Sequence, residues 1–211
     1  ALVLAGLLLF LLGRQHLALY GTFARALELA RPVERIVEWG CGGGANAVHF
    51  ASECRTFVGV DVSEASLVEC GEQVRAVGRA TFVPVLVPVT EPERALTSIT
   101  EPAQLFLCTY VFELIPSPDY GLRILRVAHR ILEPGGMALI QIRYSTESWR
   151  TMPRRWAYAK DAPNMTTYRI DEFWRAAETS GFEPKLVTLV PHDPLVDDDR
   201  YAYFCLRRPA A

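Results

Sequence analysis

The sequence has no run of basic residues, no pair of cysteines spaced CxxC and no apolar stretch long enough to cross a bilayer. Each lack removes a class of function. With Lys+Arg 22 against Asp+Glu 24, a formal net charge of -2 and a sequence pI near 6.1, nothing attracts a phosphate backbone, so no nucleic acid partner is expected. The five cysteines, Cys41, Cys54, Cys70, Cys108 and Cys205, are scattered and odd in number. Neither a zinc site nor a disulfide framework is therefore expected, and a reducing cytoplasm fits best. No internal repeat, low-complexity block or linker divides the chain. Its 211 residues, half of them apolar, suit one α/β domain.

The apolar run from Ala1 to Leu12 falls short of the about 20 residues a membrane span takes. It also lacks the basic start and small-residue cleavage site of a secretory signal. Read as a helix, it packs on the domain or on a second copy of the chain in a homodimer; a membrane anchor is the less favoured reading. From Gln15 to Ala30 the residues Leu17, Leu19, Tyr20, Phe23, Leu27 and Leu29 recur at mostly helical spacing, and Pro32 stops the pattern. Residues 1–30 are thus expected as an N-terminal helical segment, a cap or oligomer contact, ahead of a domain over 31–211.

Beyond Pro32 short apolar runs alternate with helical stretches. Strands are expected at Arg35 to Glu38, Thr56 to Val60, Ala80 to Val87, Leu105 to Thr109 and Met137 to Arg143. Helices are expected from about Ala45, over Glu64 to Val77 and over Asp119 to Leu132. That alternation means a parallel sheet wound by crossover helices. A helix over Ile170 to Ser180 ends at Gly181. The segments Glu183 to Val190 and Tyr201 to Arg207 have no helix between them and should pair as antiparallel neighbours.

Chemistry concentrates at Ile36-Val37-Glu38-Trp39-Gly40-Cys41-Gly42-Gly43-Gly44-Ala45, where an apolar strand runs into glycines and then a helix. Glycine permits positive φ and lets backbone N–H groups approach a ligand. A helix start adds unpaired donors and a positive dipole end. Asp61, in Gly59-Val60-Asp61-Val62-Ser63, lies roughly twenty positions beyond Gly40, where a second strand returns beside the first and a carboxylate can accept both ribose hydroxyls. Nucleotide-binding oxidoreductases and S-adenosylmethionine (SAM) proteins share this device. An isolated Asp at a strand end is otherwise a helix N-cap, a role that falls here to Ser63.

Four motifs in order separate the two. Glu38-x-Gly40-x-Gly42-x-Gly44 and Gly59-Val60-Asp61-Val62-Ser63 are followed by Ala103 to Pro116, which holds Leu105-Phe106-Leu107-Cys108-Thr109-Tyr110, and by Ile131-Leu132-Glu133-Pro134-Gly135-Gly136. Together they resemble the motifs of class I SAM-dependent methyltransferases across roughly Val33 to Arg208. The resemblance implies a Rossmann-like α/β fold, a mostly parallel seven-stranded sheet with an antiparallel last strand and helices on both faces. It implies SAM as cofactor and S-adenosylhomocysteine (SAH) as product. Gly40, Cys41, Gly42 and Gly44 would lie along the methionine part, with Glu38 attracting the amino group. Asp61 would take the ribose, Val62 would face adenine, and Cys108 and Thr109 would flank the reacting methyl. The chain departs from the family at Gln104, where Asp is common, and after the third strand, where no acid stands; Thr90, Glu91 or a backbone carbonyl would meet the adenine amino group instead.

Methyl transfer from a sulfonium needs mainly positioning, plus a base where an oxygen or protonated nitrogen must lose a proton. Candidate bases are His16 and Tyr20, four apart on one helix face, with Tyr110 and with His192 in a loop after the sixth strand. His49 and His129 read as structural. An insertion around 144–168 carries Tyr144, Trp149, Arg150, Trp156 and Tyr168, residue types that build an aromatic lid with basic handles over a substrate. The expected function is methyl transfer to a small-molecule acceptor, at oxygen or nitrogen before carbon. The alternatives are an NAD(P)-binding Rossmann oxidoreductase and a non-catalytic methyltransferase-fold binding protein.

Overall fold

A computed structural model describes residues 2–146, 166–194 and 198–210. The strands form a seven-stranded sheet in the order β3-β2-β1-β4-β5-β7-β6. The chain divides into two compact units, Ala1–Leu107 and Cys108–Ala211.

The first unit opens with α1 (Leu2–Ala26), one continuous helix where the sequence suggested an apolar run followed by a second helical pattern. Among its described side chains Leu12, His16, Tyr20, Phe23 and Ala24 are buried, three and four apart and therefore on one face. The parallel strands follow: β1 (Val33–Trp39), β2 (Cys54–Asp61), β3 (Thr81–Leu86) and β4 (Ala103–Cys108). In register, Ile36 lies between Phe57 of β2 and Leu105 of β4. β1 is buried over Ile36–Trp39, apolar but for Glu38, and β2 over Phe57–Val60, as in strands covered on both faces. Helix α3 spans Glu64–Val77, the bounds its periodicity predicts. The Ser63 hydroxyl caps it by accepting from Ser66 N–H at 3.2 Å, and Gly78 ends it in the left-handed region.

One expectation fails here. The helix after the glycines starts at Ala47, not Ala45, and α2 (Ala47–Phe50) lasts a single turn before a 3-10 turn at Ala51–Glu53. A further short helix, α4 (Ala95–Ser98), had no periodic signal at all.

In the second unit, α5 (Pro118–Ile131) is capped by the Ser117 hydroxyl, which accepts from Tyr120 N–H at 3.3 Å. Then come β5 (Leu132–Arg143), α6 (Ile170–Thr179), β6 (Glu183–Asp193) and β7 (Asp198–Arg207). β7 pairs antiparallel with both β5 and β6, so the last hairpin is as expected but longer. β5 takes in Glu133-Pro134-Gly135-Gly136, which the sequence placed in a turn. Gly135 N–H donates to Arg208 O and Arg208 N–H to Gly136 O, both at 2.9 Å, which extends the ladder. His192 accordingly lies within β6 and not in a loop after it. Phe112, Phe173 and Phe204 form the core of this unit, with ring centroids 5.4 and 4.7 Å apart in succession.

Candidate functional site

The glycine loop leaves β1 at Trp39 and turns at Gly40, Gly42 and Gly44, whose φ values of 71°, 50° and 93° favour glycine. It is tied down by Gly40 N–H and Cys41 N–H donating to Val60 O and by Gly44 N–H donating to Cys41 O. A Cβ at Gly44 would stand 3.2 Å from the Cys70 Cα of α3, whereas a Cβ at Gly42 would meet no described atom within 4 Å. Gly44 seats the loop, and Gly42 faces open space.

Two carboxylates flank this loop. Asp61, the last residue of β2, accepts from Gly42 N–H through Oδ2 and from Ser63 N–H through Oδ1, both at 2.9 Å. Glu38, near the end of β1, is 2% exposed. Its Oε1 accepts from Asn46 Nδ2 at 2.6 Å, and its Oε2 is buried without a hydrogen-bond partner among the described residues. Burial pushes the Glu38 carboxyl up to about 8, against the pull of the Asn46 bond and with a smaller push from Asp61. His16 Nδ1 lies 2.8 Å from Asn46 Oδ1. Because α2 is only one turn long, the dipole of a long helix does not charge this loop.

The other predicted residues of this unit scatter. Cys41 is buried, and its bond with Cys70 together with burial holds its thiol far above the ordinary range, which suits packing and not reactivity. Tyr20 shares a helix face with His16 but packs against Phe50 beneath the Arg31 guanidinium. Burial pushes its phenol up to about 12, unsuited to proton abstraction. His49 bonds to Phe10 O, a structural contact. Val62 is 55% exposed, and Leu86 and Val89 are equally open; Leu86 is the register partner of Asp61.

A family model described as a methyltransferase domain matches residues 13–187, most of the chain. The chain belongs to the class I SAM-dependent methyltransferases. Solved structures agree in fold. A SAM-dependent methyltransferase from Methanosarcina mazei is 13% identical with TM-score 0.66 over 86% of this chain and 95% of that one. One from Mesorhizobium loti is 17% identical with TM-score 0.63 over 89% and 96%. The N-methyltransferase NodS from Bradyrhizobium japonicum, in complex with SAH, is 14% identical with TM-score 0.63 over 84% and 79%. No curated protein matches the sequence. The cofactor of this methyltransferase is SAM, and the oxidoreductase alternative is not favoured.

In the second unit of the methyltransferase, Cys108 and Thr109 are buried at the end of β4 and its following segment. Tyr110 comes next with φ of 57°, rare for a residue with a side chain, and its N–H donates to Gln141 Oε1. Its ring meets Tyr201 edge-on at 5.2 Å, and the Arg143 guanidinium covers Tyr201 at 5.8 Å. Gln141 is the register partner of Tyr203. Burial above all, then Tyr110, Asp193 and Glu113, drives the Tyr203 phenol far up. Glu113, Gln141, Asp193 and Tyr203 are all buried; Glu113 lies within the motif Ala103 to Pro116, and the other three lie in no motif. Thr166 fastens the segment after β4 by donating its N–H to Glu113 O and its hydroxyl to Ile115 O.

Tyr168 packs in the phenylalanine core against Phe112 and Phe173, while Tyr144 bridges to it and is half-buried. His192 is exposed on β6. Trp149, Arg150 and Trp156 lie outside the described residues, as does most of the insertion. Among the described residues no cluster is able to hold a metal ion and no helix is long and apolar enough to cross a membrane.

Proposed function

We propose that this methyltransferase transfers the SAM methyl to a small-molecule acceptor, at oxygen or nitrogen. The observation that supports it most is the Tyr110 segment. A tyrosine held at positive φ costs about 1–3 kcal/mol, a strain typical of functional sites, and here it fixes a ring beside buried polar groups. The chain's charge balance offers no stripe for nucleic acid.

The residues present fit SAM. Gly42 opens the loop for close approach, Glu38 Oε2 suits the ammonium group, and each Asp61 oxygen keeps a lone pair for a ribose hydroxyl after accepting one N–H. Val62, with Leu86 and Val89, suits the adenine face. When bound, the cofactor supplies an electrophilic methyl, so this chain's task is to bind, orient and exclude water. Tyr110 and the buried Glu113 carboxylate are the groups we assign to take an acceptor's proton. Trp149, Arg150 and Trp156 grip the acceptor. All five cysteines are buried and none forms a disulfide, which suits a reducing cytoplasm.

The test is a screen of metabolites with labelled SAM. Transfer to a small acceptor is expected; efficient labelling of RNA or a folded protein with no small acceptor competing overturns the proposal.

A further inference from the structure

The amide of Asn46 stands between two titratable side chains that no family motif connects. Its Nδ2 donates to Glu38 Oε1 at 2.6 Å, and its Oδ1 lies 2.8 Å from His16 Nδ1. An amide oxygen only accepts, so the His16 ring donates through Nδ1–H, and both donors run toward the carboxylate. All three residues are buried, where such bonds strengthen one another.

The helix that carries His16 is fixed on the loop at close range. A Cβ at Gly13 would fall 2.1 Å from Ala45 O, and His49 Nε2 lies 2.8 Å from Phe10 O. Helix α1 therefore meets residues 45, 46 and 49 along adjacent turns, with glycine where the backbones come together. At the other end of the chain of bonds, Glu38 Oε2 is a buried polar atom without a partner among the described residues. Such an atom is costly until a ligand satisfies it.

We propose that Asn46 and His16 are positioning residues for the cofactor: through the oriented amide, the N-terminal helix holds Glu38 Oε1 and reserves Oε2 for the SAM ammonium, so that uptake drives a proton off Glu38. This rests on the reading that Glu38 meets that ammonium. The groups around Glu38 are His16 on α1, Asp61 on β2 and the Cys41 thiol in the loop, while β4 presents only Leu107 in register. With its carboxyl held near 8, Glu38 is mostly protonated at neutral pH. Since Oε1 accepts from the amide, that proton sits on Oε2. It passes to the buffer on binding, leaving the carboxylate to accept from the ammonium.

The experiment is titration calorimetry of the full chain with SAM and with SAH at pH 7, in buffers of different ionisation enthalpy, repeated from pH 6 to 9. The expected result is release of about one proton per cofactor, with affinity rising up to tenfold per pH unit below pH 8. Glu38→Gln should release none. Asn46→Ala should weaken binding about tenfold and move the pH midpoint upward, because the carboxylate loses its donor. His16→Ala should act in the same direction but less, and His16→Gln, which keeps an N–H donor, should restore the midpoint. Circular dichroism establishes folding, and the two His16 variants carry the test where Asn46→Ala does not fold. Undiminished proton release in Glu38→Gln overturns the reading of Glu38 itself. Release lost in Glu38→Gln but an unmoved midpoint in folded Asn46→Ala and His16→Ala overturns the relay alone.

Discussion

In the first unit the polar groups lie close together in sequence, Glu38 to Asn46 and Asp61, and each answers a neighbour across a strand end or a loop. In the second unit Tyr110, Glu113, Gln141, Asp193 and Tyr203 come from the segment after β4, from β5 and from the β6–β7 hairpin. The first arrangement is written in a motif; the second exists only once distant strands have paired. On the proposed function, the cofactor is read by the first kind of site and the acceptor by the second.

The sharpest way to break this division is Gly42→Val. The φ of 50° makes valine there cost about 1–2 kcal/mol, yet its Cβ meets no described atom. The variant should fold and lose SAM binding altogether, measured by calorimetry beside a melting curve. Normal binding would show that the open space at Gly42 is not the cofactor's. Next in size, Asp61→Ala should weaken SAM binding roughly ten- to hundredfold, since it removes one or two charge-assisted hydrogen bonds and frees the Gly42 N–H from its anchor.

Glu113→Gln sharpens the other half. It should lower turnover of an identified acceptor about tenfold or more, with SAM affinity within about twofold of the parent. An equal loss in both would merge the two halves into one function. The last effect concerns pH. Glu38 rises from an ordinary value of 4.5 to about 8 on folding, so the folded ligand-free protein binds the extra proton. Its contribution to stability is full below about 4.5 and is lost as pH rises through 8. Melting of the parent relative to Glu38→Gln should therefore fall as pH rises over that range, by on the order of ten degrees. A flat difference would mean that Glu38 titrates like an exposed carboxylate.

Much of the fold was legible because its signals are local. The periodicity of α3 has Ser63 and Gly78 at its ends, and β1 and β2 each carry a short run of buried, mostly apolar residues. What misled were features decided by tertiary pairing. α2 stops after one turn, β5 begins five residues early because Arg208 completes the ladder at Gly135 and Gly136, and His192 is drawn into β6 by the same hairpin. In the site, Glu38, the glycines and Asp61 came from the motif. Asn46 did not, because an asparagine at a helix start reads as an ordinary cap; its bonds to Glu38 and, 30 residues away, to His16 form only in the folded chain. Tyr20, on the same helix face, was a fair candidate until Arg31 and Phe50 enclosed it.

The bond between His16 and Asn46 spans 30 residues, the Gly42 to Asp61 bond 19, and the Asn46 to Glu38 bond 8. Loop-closure entropy grows only with the logarithm of such separations. Tyr110 and Tyr201 are about three times as far apart as the longest of these, which adds roughly 1 kcal/mol to the chain entropy of closing that contact. Short separations also favour early formation. The His16 to Asn46 bond therefore lets the cofactor loop take its shape from the chain's own first third.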